Sequence, residues 1–380
     1  MILLIDGTNI ISGGGASHLI ELLNATKSST LKKDKITKII VIGVLNVTER
    51  LPKKDWLQII NIPENKSRLV YRIIWKIFNF NKIIKQESVD FIYNPGGSYF
   101  GKKVPYVTMC RNMLVFETKE ANRFGLSLQR IKLVLLRILE SLSMKRAAGV
   151  IFISKYAQNY LKENYPAIEI KQFSIINHGV SNRFKNDANK QKEISDFTIN
   201  NPYKILYVSI LNLYKHHAEL AEAIVSLSEE EKFPLEFIVV GQKAGGYKKF
   251  EKIRAKHPNI IKYLGKVEFE EIQLQYRAAD LFIFGSTCEN MPNILIEAMS
   301  SGIPIISSDK EPMPEFLGLG GLYFSVEKKD SIYQALKKVI EDVPLRNYLL
   351  EKSISLSHQY SWEKCAEETF EFISKCYVKN

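Results

Sequence analysis

Short apolar runs rich in β-branched residues alternate with longer helix-forming segments along both halves of the chain. Strands that are buried on both faces of a parallel sheet have this continuous apolar character, and crossover helices occupy the segments between them. The alternation therefore predicts an α/β fold with one parallel sheet in each half. We place the strands at residues 2–5, 39–44, 91–93, 105–109 and 150–153 of the first half and at residues 204–209, 235–240, 260–264, 281–284 and 303–307 of the second.

The length and one polar stretch predict two domains. A chain of 380 residues exceeds the roughly 250 to 300 residues that one hydrophobic core usually serves. Residues 181–202 are polar with few apolar anchors, which is the composition of an exposed domain boundary. We therefore predict a first domain over residues 1–180 and a second over residues 203–360. Ser361 is a predicted N-cap for one amphipathic helix within residues 361–380, which we expect to pack back on the first domain.

The basic excess lies entirely in the first half. Residues 1–180 contain 27 Lys and Arg against 13 Asp and Glu, a difference of +14, and residues 181–380 contain 26 against 28. Basic residues are interleaved with apolar ones at 67–85 and 127–146, as in helices that adsorb to an anionic membrane surface. Either segment alone fits a sheet-covering helix with a charged outer face equally well, but the two together favour the membrane. We expect no nucleic-acid partner, because no recognised binding module is present.

The cysteines and the N-terminus predict the cellular location. Cys110, Cys288, Cys365 and Cys376 form no CxxC pair and have no regular spacing, which argues against a disulfide framework or a structural zinc site. The N-terminus reaches Asp6 after a few apolar residues and has no basic lead, so we expect a first strand and not a secretory signal. No run approaches the ~20 apolar residues of a spanning helix. The prediction is a cytoplasmic protein, peripheral on the inner face of the membrane.

Residues 286–309 contain the most specific arrangement of chemical groups. A helix is predicted to begin near Pro292, as its first helical position, and to end before Gly302. Its positive N-terminus then lies at the carboxyl edge of a parallel sheet, where α/β folds bind anions such as phosphate. Glu289 and Glu297 bracket this end, and two acids fit the hydroxyl groups of a ribose and a sugar. A solvated loop charge and a solvated helix charge fit the spacing equally well.

The string Glu-x7-Glu followed by Ala-Met-x-x-Gly-x-Pro-Ile-Ile, which begins at Glu289, resembles the donor-site signature of the family 4 retaining glycosyltransferases. These enzymes have the GT-B fold, in which two Rossmann-like domains face each other across a cleft. The resemblance implies transfer of a hexose from a UDP- or GDP-sugar to a lipid-linked or polysaccharide acceptor in cell-surface glycan synthesis, without a metal or other cofactor. It covers the second half, and the first half in outline, through residues 177–180, 207–217, 238–241, 263–267 and 276–284.

The resemblance also implies roles for individual donor-site residues. Lys215 would bind the diphosphate, Glu289 the donor sugar and Glu297 the ribose hydroxyls, and a fixed cation stabilises the leaving diphosphate without a metal. Lys215 and Glu289 are therefore the candidate catalytic residues. The family often has an arginine where this chain has Ile210, so Lys243 or the helix dipole would complete the diphosphate clamp. The other candidate donor contacts are the loop residues Asn290, Met291, Pro292, Asn293 and Ile294, and Gly265 and Val267 at the base, which do not select uracil over guanine.

A glycine-rich segment, residues 12–17, follows the first predicted strand and precedes a helix. By the resemblance, Gly14 and Gly15 would form a loop that contacts the donor phosphates and the acceptor. Glycine lets the backbone approach a phosphate closely, although a plain flexible loop explains the segment equally well.

The usual histidine or aspartate base of the family is not visible after the strand at 105–109. Arg111 and Asn112 follow that strand and cannot act as bases. We keep them, with Glu117, as candidate acceptor-binding residues, although Glu117 also fits a solvated glutamate. His178 is interpreted as a loop residue. Family members are described as using front-face attack, in which the leaving phosphate takes the acceptor proton, so activity does not require the base.

Two other functions remain open at this point. A nucleotide-sugar epimerase shares the two-domain architecture and would convert the donor without an acceptor. A non-catalytic sugar-nucleotide-binding partner of another transferase would explain the missing cation at Ile210 and the missing base. The donor sugar, the acceptor, the linkage and the oligomeric state do not follow from the sequence.

Overall fold

A computed structural model describes residues 1–63, 69–101, 103–187, 191–268 and 271–378. Ser67 and Arg68, at the beginning of the first basic segment, lie outside the described residues, as do residues 188–190 of the predicted boundary and residues 379–380.

The chain forms two compact units. Residues 117–130, which the sequence prediction assigned to the first domain, pack with the second unit, as do the described residues of the polar stretch 181–202. The first unit consists of residues 1–116, 131–179 and 360–380, and the second of residues 117–130 and 180–359.

Each unit contains one sheet, and the strand pairs of both sheets are parallel. All ten predicted strands are present within a few residues of their predicted bounds, and three further strands, each at a sheet edge, complete the sheets in the described residues. The first sheet contains β1 (Ile2–Asp6), β2 (Lys38–Val44), β3 (Leu57–Ile62), β4 (Phe91–Asn94), β5 (Tyr106–Cys110), β6 (Gly149–Phe152) and β7 (Phe173–Ile175). The second contains β8 (Tyr203–Val208), β9 (Leu235–Val240), β10 (Ile261–Gly265), β11 (Leu281–Phe284), β12 (Ile305–Ser308) and β13 (Leu322–Phe324).

Helices connect the strands as the crossover pattern predicts. They are α1 (Gly13–Ala25), α2 (Ser28–Lys33), α3 (Leu45–Thr48), α4 (Leu69–Gln86), α5 (Thr118–Asn122), α6 (Leu128–Arg146), α7 (Lys155–Asn164), α8 (His217–Glu231), α9 (Tyr247–Arg254), α10 (Ile272–Arg277), α11 (Asn293–Ser300), α12 (Met313–Leu317), α13 (Lys329–Glu341), α14 (Val343–Ser357) and α15 (Trp362–Val378). None of these helices is long and apolar enough to cross a membrane.

The strand order gives each sheet one topological switch point. The first sheet has the order β3-β2-β1-β4-β5-β6-β7 and the second the order β10-β9-β8-β11-β12-β13. In each, the first strand lies between the second and the fourth, so the connections before and after it run to opposite faces. Ligands of open α/β sheets bind outside the carboxyl ends of the strands at this point. The loops that follow β8 and β11 are therefore the first place to look for a ligand site in the second unit.

The closing helix belongs to the first unit. The Ser361 hydroxyl accepts a hydrogen bond from the backbone N–H of Lys364 at 3.1 Å, which confirms the predicted N-cap. Trp362 stacks on His178 with ring centroids 5.6 Å apart, and α15 packs on α1 and β6. The His178 side chain is 3% exposed. The predicted loop position is correct, but this turn is a buried packing element that anchors the C-terminus.

Candidate functional site

Two loops at the switch point of the second sheet bring Lys215 and Glu289 together. Lys215 ends a short 3-10 turn that follows β8, and Asn212 caps this turn by accepting a hydrogen bond from the Leu213 N–H at 2.9 Å. Glu289 lies on the loop between β11 and α11. The Lys215 ammonium donates a hydrogen bond to the Glu289 carboxylate, and the two side chains are 7% and 16% exposed. The pair spans 74 residues of sequence because β8 and β11 are hydrogen-bonded neighbours.

Aromatic side chains surround the Lys215 cation. Its nitrogen lies 5.3 Å from the Phe284 ring centroid and 5.4 Å from that of Tyr214. The Tyr207 hydroxyl donates to the Lys215 carbonyl at 2.9 Å, and burial raises the pKa of the Tyr207 phenol, which keeps it a donor. A cation with few waters and apolar walls attracts an anion more strongly than a solvated one does. The surroundings of Lys215 are therefore those of an anion site.

The residues next to this pair form a second set of contacts. The Thr287 N–H donates to the Tyr214 carbonyl at 2.9 Å, which joins the loop after β11 to the loop after β8. His216 Nε2 lies 3.2 Å from Thr287 Oγ1, and the same hydroxyl donates to Glu120 Oε2 at 2.7 Å. Glu120 lies on α5 and is 5% exposed. Sequence reasoning missed all three of these side chains.

Glu297 is oriented by a tyrosine that sequence reasoning also missed. The Tyr276 hydroxyl lies 3.1 Å from Glu297 Oε2 and 3.3 Å from the Ile294 carbonyl oxygen. Tyr276 is fully buried and stacks on Phe282, with ring centroids 5.6 Å apart. Burial, and then the Glu297 carboxylate, raise the pKa of the Tyr276 phenol, so the hydroxyl keeps its proton and donates. Tyr276 therefore helps to fix the position of the Glu297 carboxylate.

The predicted helix after the Glu289 loop begins one residue later than expected. Pro292 was predicted at the first helical position, but with φ −80° and ψ 86° it is the N-cap, and α11 begins at Asn293. Its carbonyl accepts from the Leu295 N–H at 2.8 Å, so it still closes the first turn. Asn290 and Met291 before it are buried, and the Asn293 N–H donates to the Met291 carbonyl at 3.0 Å. The loop is ordered by its own backbone.

The strand ends on the other side of β8 contain the remaining donor-site candidates. Gly265 ends β10 with φ +71°, and a Cβ there would meet open space. Val267 follows it and is half-buried. Leu211 pairs with Lys243, whose nitrogen lies 4.4 Å from the Tyr247 ring centroid. Lys243 therefore follows β9 opposite Leu211, one residue after Ile210, and its role as a substitute cation stays a prediction.

The glycine-rich segment of the first unit was predicted as a loop, which is wrong, because most of it is helical; the predicted contact of Gly14 and Gly15 with the donor stays a prediction. Gly14 and Gly15 lie in the first turn of α1, which begins at Gly13. A Cβ at Gly15 would lie 2.8 Å from a guanidinium nitrogen of Arg111, so a side chain there would force the guanidinium to move. That guanidinium also donates to the Pro95 carbonyl at 3.2 Å. Gly15 thus makes room for an arginine at the N-terminus of a helix, whereas Gly13 has φ +64° and no neighbour within 4 Å of a Cβ.

The three acceptor-binding candidates are divided between the two units. Arg111 lies in the first unit, where Asn112 caps the next 3-10 turn by accepting from the Leu114 N–H. Glu117 belongs to the second unit and is 7% exposed, so the interpretation as a solvated glutamate is wrong. Burial, and then Glu117 and two further carboxylates, raise the pKa of the Cys288 thiol, which places Glu117 near the loop after β11.

We searched the part of the chain that the structure describes for a cluster of side chains that could bind a metal ion. No group of three or more His, Cys, Asp or Glu side chains there could hold a metal ion. The independence from metal that the resemblance implies stays a prediction.

Two family models match the chain, one in each half. The model for glycosyltransferase family 4 matches residues 13–183, and the model for glycosyl transferases group 1 matches residues 189–355. The O-antigen chain mannosyltransferase B of Escherichia coli is 31% identical over 109 residues, which are 29% of this chain and 29% of that protein.

The N-acetylgalactosamine-N,N'-diacetylbacillosaminyl-diphospho-undecaprenol 4-alpha-N-acetylgalactosaminyltransferase of Campylobacter jejuni is 27% identical over 188 residues, which are 48% of this chain and 49% of that protein. The chain thus spans about half the length or less of these two curated relatives. The crystal structure of Anabaena HepE in complex with UDP and glucose has a TM-score of 0.69 and 16% identity, and the match covers 99% of this chain and 100% of that one. Because one family model covers every strand of the first sheet except β1, the other covers all strands of the second, and the fold agrees over nearly the whole chain, the protein belongs to the family 4 glycosyltransferases, which have the GT-B fold.

Proposed function

We propose that the protein transfers a hexose from a UDP- or GDP-sugar to a lipid-linked or polysaccharide acceptor in glycan synthesis, with retention of the anomeric configuration. The observation that carries the proposal is the buried ion pair of Lys215 and Glu289 at the switch point of the second sheet. Glu297 lies on the helix that begins beside this pair. One cation and two carboxylates match one diphosphate and two hydroxyl-bearing rings.

The ion pair accounts for how the site remains stable before the donor binds. A buried charge without a partner is costly, and each member of the pair satisfies the other. When a diphosphate binds, Lys215 exchanges the Glu289 carboxylate for phosphate oxygens. Glu289 is then released to accept hydrogen bonds from sugar hydroxyls. The donor thus replaces the ion pair by two contacts, one between Lys215 and a phosphate and one between Glu289 and the sugar. A nucleoside diphosphate without the sugar provides only the contact to Lys215.

The chemical step needs no protein base. The bond between the sugar C1 and the diphosphate oxygen breaks, the acceptor hydroxyl oxygen forms a bond to C1 on the same face, and its proton passes to the leaving phosphate. Negative charge develops on that phosphate, next to Lys215. A fixed cation that is already desolvated stabilises this charge without reorganisation.

The relatives support the donor and acceptor classes. HepE binds UDP and glucose, as the description of its crystal structure states, and the Campylobacter jejuni relative is named for a diphospho-undecaprenol acceptor. Arg111 at the N-terminus of α1 is suited to a phosphate on the acceptor, since both the guanidinium and the helix dipole are positive. We place the acceptor phosphate contact there.

Thermal unfolding in the presence of UDP-, GDP- and ADP-sugars tests the donor site. A bound donor at a hundred times its Kd stabilises the protein by ~2.7 kcal/mol. We expect one UDP- or GDP-sugar to raise the Tm, and Lys215→Ala and Glu289→Ala to remove the shift. Lys337→Ala and Glu231→Ala are matched controls, because they break a half-buried Lys–Glu pair in the same unit. If no nucleotide sugar stabilises the wild-type protein, the proposal is wrong.

NMR of the reaction products then tests the activity and the stereochemistry. Retention predicts the same anomer in donor and product. An inverted product refutes the front-face step, and a converted donor without any acceptor identifies an epimerase instead.

The same proposal includes a membrane surface on the first unit. The crossovers from β3 to β4 and from β5 to β6 run in the same direction across the sheet, so right-handed connections place α4 and α6 on one face. Tyr99 joins their inner sides: its ring lies 5.8 Å from that of Phe80, and its N–H donates to the Ser143 hydroxyl at 3.0 Å.

The outer sides of these helices are apolar and basic. Ile77 and Phe78 of α4 are 65% and 75% exposed. Further exposed apolar residues are Tyr71, Ile73 and Ile74 on α4 and Ile131, Leu135, Ile138 and Leu142 on α6. The exposed cations are Lys82 and Lys85 on α4 and Lys132, Lys145 and Arg146 on α6. Apolar side chains that enter the headgroup region and cations that each contribute ~1 kcal/mol near anionic lipid fit an anionic bilayer.

Sedimentation with vesicles tests this surface. We expect binding to vesicles with phosphatidylglycerol, loss of binding at high salt, and weak binding to phosphatidylcholine alone. Ile77→Ser and Phe78→Ser reduce binding, while Leu319→Ser, at an exposed leucine of the second unit, does not. Equal binding of all variants to the vesicles contradicts the proposal. If the wild-type protein is a dimer in solution and Ile77→Ser and Phe78→Ser make it monomeric, the surface is instead a contact between two copies of the chain.

A further inference from the structure

A buried carboxylate on the short helix α5 contacts the loop that carries Glu289. Glu120 is 5% exposed, and Arg123 on the same segment donates to both of its oxygens, at 2.6 and 3.2 Å. The Thr287 hydroxyl lies 2.7 Å from Glu120 Oε2. Thr287 precedes Glu289 by two residues. Glu120 therefore acts on the loop and does not need to touch a ligand.

The proton count fixes the direction of these hydrogen bonds. The Thr287 hydroxyl has two acceptors in reach, the Glu120 carboxylate at 2.7 Å and the Tyr214 carbonyl at 3.3 Å, neither of which can donate, so its single proton points to the nearer one, Glu120. The Thr287 oxygen then has lone pairs left, and His216 Nε2 at 3.2 Å must carry a proton to bond to it. His216 directly follows Lys215 in the chain. The Thr287 hydroxyl thus joins the loop of Lys215, through His216, to the loop of Glu289.

The backbone of His216 explains why this connection is needed. His216 has φ +55°, in the left-handed region that a non-glycine residue rarely adopts without support. It is the turn between the 3-10 segment that ends at Lys215 and helix α8. The bond to Thr287 holds the imidazole, and with it the turn, so that the Lys215 ammonium meets the Glu289 carboxylate.

We infer that Glu120 is a positioning residue for the donor site: through the Thr287 hydroxyl and His216 it holds the two loops at the distance at which Lys215 and Glu289 bind one nucleotide sugar. The inference rests on the proposed function. Groups that orient metal-binding side chains from behind change metal affinity or activity by about tenfold or more when they are removed, and we expect an effect of the same order here. Here the carboxylate comes from residues 117–130, a segment that follows β5 in the chain and packs in the second unit.

Isothermal titration with the nucleotide sugar that stabilises the wild-type protein tests the inference. Thr287→Val removes the hydroxyl with little change of shape, and we expect Kd to rise about tenfold. Glu120→Ala should have a similar effect, and the double variant should be no worse than either single one, because both changes break the same connection. Thr287→Ser keeps the hydroxyl and should restore affinity. Lys119→Ala, on the same helix with an exposed partner, is the matched control and should bind like the wild type.

A second readout separates positioning from general stability. Without donor, Thr287→Val should unfold within a few degrees of the Thr287→Ser protein, while its donor-induced shift in Tm is smaller. Wild-type affinity in Thr287→Val and Glu120→Ala overturns the inference and leaves the proposed function intact. Additive losses in the double variant also overturn it. A wild-type protein that binds no nucleotide sugar overturns the proposed function and the inference with it.

Discussion

His217 makes the stability of the second unit depend on pH. Its imidazole is 2% exposed, stacks on Tyr207 with centroids 4.5 Å apart, and lies 3.3 Å from the Ser209 hydroxyl through Nε2. Its Nδ1 has no partner among the described residues. Burial, and then the neighbouring Lys215 cation, lower the pKa of His217 from 6.5 to about 3, although Glu219 opposes the shift. The folded protein therefore keeps this side chain neutral.

The sign and size of the effect follow from the two pKa values. In the unfolded chain the imidazole binds a proton below about pH 6.5, and in the folded protein it does so only near pH 3. Between these values the unfolded state binds more protons, so stability falls as pH falls, by ~1.4 kcal/mol per unit. Lowering the pH from 7.5 to 5 should cost roughly 2 kcal/mol of unfolding free energy through His217 alone.

Urea denaturation of the wild type and of His217→Phe at both pH values measures this contribution. Phenylalanine keeps the stack on Tyr207 and does not titrate, so its loss between pH 7.5 and pH 5 should be smaller by about 2 kcal/mol. Ser209→Ala removes the same hydrogen bond and keeps the histidine; its curve should run parallel to that of the wild type. An equal pH dependence of the wild type and His217→Phe refutes the reasoning.

Three further changes have defined expected outcomes. Tyr276→Phe removes the hydroxyl that bonds to Glu297, so we expect ~1 kcal/mol less stability in urea and a several-fold higher Kd for the donor by titration calorimetry. Gly241→Ala places a Cβ 1.8 Å from the Ser209 carbonyl oxygen at φ +150°, and thermal unfolding should show a loss of more than ~2 kcal/mol. Ile210→Arg adds the cation that the family often has and should lower the Kd for UDP or GDP about tenfold; no change means that Ile210 does not face the diphosphate.

The strands of the interior could be predicted and the strands at three edges could not. Interior strands such as β1 and β8 are buried on both faces, which requires a continuous apolar run. β3, β7 and β13 lie at sheet edges, and β7 and β13 are only three residues long. β3 is partly exposed along most of its length, and its apolar run is interrupted by Gln58 and Asn61. The apolar pattern of a strand follows from its burial, so a partly buried strand has a weaker pattern and is harder to predict from the sequence.

The candidate donor site divides in the same way. Glu289, Glu297 and Lys215 could be named because they lie at fixed distances from strand ends that the sequence reveals. Tyr276 and Glu120 could not, because their roles depend on contacts across 21 and 167 residues that only the folded chain brings about. The local feature that Tyr276 and Glu120 share is a polar group in a well-packed position, where it contacts a polar partner.

The glycines of α1 show how the same residue type can mislead. Residues 12–17 were predicted as a loop from the backbone freedom of glycine and from the family resemblance, and three consecutive glycines also disfavour a helix by roughly 1 kcal/mol each. In the structure Arg111 occupies the volume that a Cβ of Gly15 would need, and Gly96 approaches the same guanidinium. A side chain at either position would displace the arginine from the helix N-terminus. Gly15 and Gly96 are thus explained by a cation placed where a helix dipole is already positive, an arrangement that becomes favourable when an anion binds at this helix end.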